Sequence, residues 1–224
     1  RHYQDSHSLL FIIILGMLTA IGPLAIDMFL PGLPEFKNDF NSTTSNAKLT
    51  LSFFIIGLGI GNLFVGPISD SMGRKKPLII VMIVFTLASL GIIFVHNIWL
   101  MIVLRLLHGI TGGGASVISR AIASDLYKGN ELTKFLSLLM LVNGVAPVIA
   151  PALGGIILSV AVWRVVFVIL TIFGILMIIG SLIKVPESLS LEYRDSSGIK
   201  VIFQNFKSLL GKPRFVLQML IQGV

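Results

Sequence analysis

Long apolar runs separated by short polar stretches dominate this chain. Each run approaches or exceeds the roughly 20 residues that a helix needs to cross the hydrocarbon core of a bilayer. Six complete spans are predicted, over residues 8–36, 49–68, 77–95, 98–119, 135–160 and 165–183, and a seventh begins near Phe215. The first run is too long for a signal peptide, lacks a small-residue cleavage site and continues through Pro31 and Pro34, so it is expected to be a true span. After Lys184 the composition turns polar. There Ile199, Ile202, Phe203, Phe206, Leu209 and Leu210 recur at helical spacing opposite Lys200, Gln204 and Lys207. That pattern predicts an amphipathic helix in the membrane interface; the alternative is a solvated loop with accidental periodicity. The expected organisation is a six-helix bundle over 1–184, a linker over 185–212 and the start of a seventh span over 213–224. Arg1 opens the chain and Val224 falls inside an apolar run, so both ends look trimmed.

Composition agrees with a membrane class. Charged residues are only 12% of the chain against 55% hydrophobic, about half the charge fraction of soluble domains, and mean hydropathy is +0.96. A net charge of +7 would suggest a nucleic-acid partner in a soluble protein. Here the basic residues fall in alternate loops, so the expected partner is anionic lipid and no nucleic acid. Arg74, Lys75 and Lys76, then Arg120, Lys128 and Lys134, then Arg194, Lys200, Lys207, Lys212 and Arg214 follow the even spans. The odd loops hold Lys37 and Lys48, offset by Glu35 and Asp39, and Arg164 at a span edge. The positive-inside rule then puts the N-terminus and the even loops, the linker included, in the cytoplasm. The absence of cysteine excludes disulfides, cysteine metal sites and thiol catalysis. No nucleophile–base pair or metal-ligand constellation stands out, so no enzyme, cofactor or metal is expected.

Two charges inside spans carry the candidate chemistry. Asp27 lies nine residues inside the first predicted span, ~14 Å deep at 1.5 Å per residue. An ionised carboxylate there costs at least ~2.5 kcal/mol, which suits a group that takes up and releases a proton; the alternative is a hydrated carboxylate near the outer interface. Arg105 lies eight residues inside the fourth span, ~12 Å from the same face. Its guanidinium stays charged and needs a carboxylate, carbonyls or water. Pairing with Asp27 and bonding to backbone carbonyls are both open. His108, three residues on, is a proton relay or cavity group in one reading and a packed, hydrogen-bonded residue in the other. Asn62 and Asn143 are the polar groups that would line a cavity if they face inward.

The loop at 66–76 has mechanics of its own. Asp70 can accept from backbone N–H groups at a helix start, Gly73 turns the chain, and Arg74 can pair with Asp125 at the end of span four. Such a latch would bias a two-state equilibrium by a few kcal/mol. In span five, Pro147 and Pro151 with Gly154 and Gly155 read as a hinge or packing seam.

These features resemble the drug:proton antiporters of the major facilitator superfamily, specifically the Bcr/CflA branch. The segment from Asp27 to Pro34 is similar to that branch's first-span motif. Gly66, Asp70, Gly73 and Arg74 match motif A, and Arg105 with Gly109 matches motif B, whose arginine is associated with proton coupling. Ala150 to Gly155 resembles the antiporter motif C, with Ala146 and Ala150 where glycines are usual and Pro147 as an extra proline. The resemblance implies an all-α fold in which the first six helices form two inverted three-helix repeats. It implies a functional monomer in the plasma membrane of a bacterium, exchanging protons for small lipophilic drugs, often cationic or neutral, by alternating access. An MFS carrier for a defined amino acid or sugar is the nearest alternative. A non-transporting sensor or scaffold is a remote one.

Overall fold

The structure, a computed structural model, describes residues 9–193. The expected linker helix over 199–210, the basic residues beyond 193 and the start of a seventh span lie outside the described residues.

Long helices follow the apolar runs but extend past them. They are α4 (Thr44–Met72), α5 (Lys75–Phe94), α6 (Ile98–Leu126), α7 (Gly129–Leu158) and α8 (Arg164–Lys184). Hydropathy marks only the apolar centre of a span; the polar turns at its ends stay helical because caps, not hydrophobicity, end the helix. Thr43 accepts from the Asn46 N–H at the start of α4 (3.2 Å), and Asn97 accepts from the Trp99 N–H at the start of α6 (2.8 Å).

The first span departs from a single rod. It is built from α1 (Leu9–Thr19), α2 (Ile21–Asp27), a 3-10 turn (Leu30–Gly32) and α3 (Leu33–Asp39). The direction bends by 49° between Leu9–Thr19 and Ile21–Asp39. Pro23 has no N–H to give, and its ring crowds the carbonyl four residues back, on Thr19. Pro31 and Pro34 shape the second break, next to the 3-10 turn.

Packing puts α6 at the centre, against α1, α2, α4, α5 and α7, while α5 pairs with α8. The second span lies along the fourth as the fifth lies along the first, the pairing expected of two related triplets. In the α4–α6 seam the backbones nearly touch: a Cβ at Gly61 would run into the Ile110 carbonyl, and one at Gly113 into the Leu58 carbonyl. Elsewhere apolar side chains face outward, among them Val148 and Ile156 on α7 and Leu87 on α5, as lipid as a solvent requires.

Candidate functional site

The break in the first span organises the middle of the bundle. A short helix end leaves its last carbonyls without intrahelical partners. Among the last carbonyls of α2, that of Leu24 accepts from the Met28 N–H; that of Ala25 accepts from Arg105 Nη1 at 3.0 Å. Arg105 is fully buried, with its guanidinium carbon 4.4, 5.0 and 5.2 Å from the ring centres of Phe29, Phe167 and Phe54. Among the described residues its Nε and Nη2 have no hydrogen-bond partner. Asp27 is the last residue of α2, half-buried, and among the described residues it makes no hydrogen bond or ion pair. The alternative of an Asp27–Arg105 pair is therefore corrected: the orphan carbonyl two residues upstream takes the guanidinium instead. The span that carries Asp27 is bent by 49° rather than straight.

His108 is also corrected, from a possible cavity group to a packed one. It is fully buried, with Nε2 2.8 Å from Ser89 Oγ and its ring stacked 4.0 Å from that of Phe85. Asn62 and Asn143 do face a cleft. This cavity of about 200 Å³, at the junction of α1, α2, α4, α6 and α7, is lined by Thr19, Pro23, Asn62, Ser116, Arg120 and Asn143 among others. Asp27 follows Pro23 by four residues and shares its helix face.

At the end of the bundle that carries the 66–76 loop, Gly73 adopts φ 89°, a conformation open to glycine at little cost. The chain reverses there and Arg74 folds back over α4. Its Nη1 meets Asp70 at 2.5 Å and Ser69 Oγ at 2.7 Å, and its Nε and Nη2 reach Asp125 at 2.9 and 3.4 Å. Burial alone would lower the Arg74 pKa; the Asp125 hydrogen bond and the charges of Asp125 and Asp70 outweigh it and leave the pKa raised.

The helix-start role expected of Asp70 is filled by Glu187, which accepts from the Arg74 and Lys75 N–H groups at 2.7 and 3.3 Å. Asp70 lies one turn before Gly73, so its carboxylate meets the guanidinium at i+4 rather than the start of α5. Ser188 adds a hydrogen bond to Asp125 at 2.8 Å. Gly66 sits beside Val117 at ordinary contact distance.

In α7 the helix continues unbroken through Pro147 and Pro151. Of the two candidate glycines, Gly154 is the tight one, where a Cβ would run into the Met28 carbonyl; Gly155 faces open space. At the opposite end, Asp39 accepts from Arg164 and from Trp163 Nε1 (3.0 Å), and Glu35 accepts from the Trp163 N–H at 3.0 Å. Arg164 also bonds the carbonyls of Ile93 and Val95 at 3.1 and 3.2 Å. These side chains read from sequence only as loop charges, yet they clasp the first, third and sixth spans together. Among the described residues no three His, Asp or Glu side chains gather as a metal site would require.

Comparison with known proteins agrees with this architecture. The Major Facilitator Superfamily family matches residues 15–224. An "Uncharacterized MFS-type transporter YdgK" of Bacillus subtilis (strain 168) is 42% identical, over 91% of this chain and 51% of its own length. A "Bicyclomycin resistance protein homolog" of Haemophilus influenzae is 32% identical, over 96% of this chain and 54% of its own. A "Multidrug resistance protein MdtL" of Salmonella paratyphi C is 33% identical, over 76% of this chain and 43% of its own. The chain thus spans about half the length of the curated relatives it matches. Among solved structures, the "human organic anion transporter MFSD10 (TETRAN)" superimposes with a TM-score of 0.66 at 17% identity, covering 89% of this chain and 52% of that one. Fold, packing and sequence agree, and the chain is an integral membrane protein that belongs to the Major Facilitator Superfamily.

Proposed function

We propose that this chain forms the N-terminal half of a proton-coupled antiporter that exports lipophilic drugs by alternating access. The observation that carries the reading is Asp27: a carboxyl at a helix break, one helical turn beyond Pro23 of the cleft wall, with no partner among the described residues. A carboxyl that forms no bond loses none on protonation, so proton uptake there competes only with substrate and solvent. Relatives named for bicyclomycin and multidrug resistance support the drug class. An apolar groove of about 320 Å³ between the first span and α7, with Met17, Leu24 and Val145 in its walls, suits lipophilic cargo.

Arg105 fixes the carbonyl beside the break and so positions Asp27 through the backbone. The Arg74, Asp70, Asp125 and Glu187 network is the switch, held in one state and broken in the other. Gly154, set against Met28, ties α7 to the same break, and the prolines of α7 let that helix bend as the state changes. The loop end faces the cytoplasm of a bacterium, following the basic residues, and the protein works as a monomer.

The test uses the intact protein in energised inverted vesicles, following lumenal pH as drugs are added. Drug-dependent collapse of the gradient that is lost in Asp27→Asn is the expected result. Collapse that persists in that variant assigns the proton to another acid. A metabolite carrier is the second reading, favoured by the polar lining of the cleft; failure of every lipophilic drug to move protons would support it.

A further inference from the structure

A third guanidinium, Arg120, is used by neither the switch nor the proton site. It lies six residues inside the end of α6, ~9 Å along the helix, one residue past the apolar span at 98–119 and exposed on the bundle's inner face. Gly112, Ser116 and Arg120 follow at intervals of four and share a face of α6. That face lines the cavity of about 200 Å³ and a smaller one of about 40 Å³ that shares Thr19, Ser116, Arg120 and Asn143.

Arg120 is held in place but not neutralised. Its Nε donates to the Ser116 carbonyl at 3.3 Å, and its Nη2 to Asn62 Oδ1 at 3.4 Å and Ser116 Oγ at 3.2 Å. These acceptors are neutral and the bonds are long. Among the described residues no Asp or Glu lines either cavity and Nη1 makes no bond. Asn143, across the cleft on α7, makes no hydrogen bond among the described residues, so its amide N–H groups are available as well. Gly22, Gly112 and Gly113 also line the cavity, whose volume of about 200 Å³ has room for a ring-sized group.

We propose that this end of the cleft is a subsite for an oxyanion, a carboxylate or a group of like geometry, on the transported molecule. A guanidinium fork matches a carboxylate with two parallel hydrogen bonds, and Asn143 supplies a donor from the facing helix. The preferred cargo is then an amphiphile that carries an acidic group, rather than a cationic one. This inference rests on the reading of the cleft as the transport route.

The test measures binding, without a proton gradient, to the intact protein purified in neutral detergent. The probes are 2-naphthoate and its neutral isostere 2-naphthamide, followed by calorimetry. The carboxylate is expected to bind at least about tenfold more tightly, or ~1.4 kcal/mol. Arg120→Gln should remove that preference while the amide still binds, with an unchanged unfolding midpoint showing that the variant is folded; Arg120→Lys should keep part of it. Equal affinities, or a preference that survives Arg120→Gln, would overturn the subsite. So would displacement of the naphthoate by phosphatidylglycerol, which would assign the fork to lipid. A missing preference with drug-driven proton movement intact sinks the subsite alone, and the converse result sinks antiport alone.

Discussion

Arg74 and Arg105 are both buried guanidinium groups, and the fold satisfies them by opposite means. Arg74 lies at a helix end where carboxylates can reach it from three elements. It bonds Asp70, Ser69 and Asp125, and Glu187 takes its backbone N–H. Arg105 lies in the middle of the bundle with one carbonyl, three aromatic rings and two N–H-bearing nitrogens left without partners among the described residues. The first arrangement is an ion-pair network whose members depend on one another. The second keeps a cation in apolar surroundings with little to hold it. A network of the first kind makes a stable latch, and breaking it is a discrete event. An arrangement of the second kind contributes little to stability.

Replacing each arginine with methionine tests the contrast most directly. Arg74→Met leaves Asp125 without its cation, and removing one member of a buried pair costs about 3–5 kcal/mol. With Asp125 partly exposed, the lower end, about 3 kcal/mol, is expected from unfolding in mixed micelles. Arg105→Met is expected to stay within about 1 kcal/mol, because apolar replacements of poorly satisfied buried charges are often neutral. Drug-driven proton movement should nevertheless be lost in that variant. An Arg105→Met protein as unstable as Arg74→Met would remove the distinction altogether.

A smaller effect sharpens the Arg74 side. Glu187 takes two N–H groups at the start of α5 with a charged carboxylate. Glu187→Gln keeps an acceptor oxygen and loses the charge, so about 1 kcal/mol of destabilisation is expected by the same unfolding measurement. No measurable change would place the latch in the Arg74–Asp125 pair alone.

The two sites also differ in how far the sequence revealed them. The Arg74–Asp125 pair was legible because a glycine turn, an acid one helical turn before it and a basic residue after it confine the guanidinium to one place. Glu187 was missed because its bond to Arg74 spans 113 residues, although an acid after Pro186 at the end of a basic-flanked span was a usable cue. Arg105 was legible as costly but not in its partner, since a backbone carbonyl leaves no trace in residue identity. That carbonyl exists only because the first span breaks. Hydropathy reads 8–36 as one apolar run, whereas Pro23, Pro31 and Pro34 in twelve residues were the physical sign that it could not be one rod. The aromatic cage of Phe29, Phe54 and Phe167 comes from three spans, and no local pattern brings such residues together.

The smallest effect concerns the neighbour of Arg105. Ser89 Oγ donates to the Phe85 carbonyl at 3.0 Å and lies 2.8 Å from His108 Nε2. A hydroxyl has one proton. If Phe85 takes it, Nε2 of His108 must be the N–H donor to Ser89, and Nδ1 is left as a bare acceptor, consistent with its lack of a partner. Around Arg105 the fold then holds unused donors and an unused acceptor in one core, where the Arg74 network leaves neither. Ser89→Ala removes the acceptor for Nε2–H, and a loss of about 0.5–1 kcal/mol is expected, with the ring free to carry its proton on Nδ1 instead. Spectra of ¹⁵N-labelled histidine read that tautomer directly in both proteins. An Nδ1–H ring before any substitution would mean that Ser89 donates to His108, leaving the Phe85 carbonyl to its helix and Nδ1 as one more unsatisfied donor beside those of Arg105.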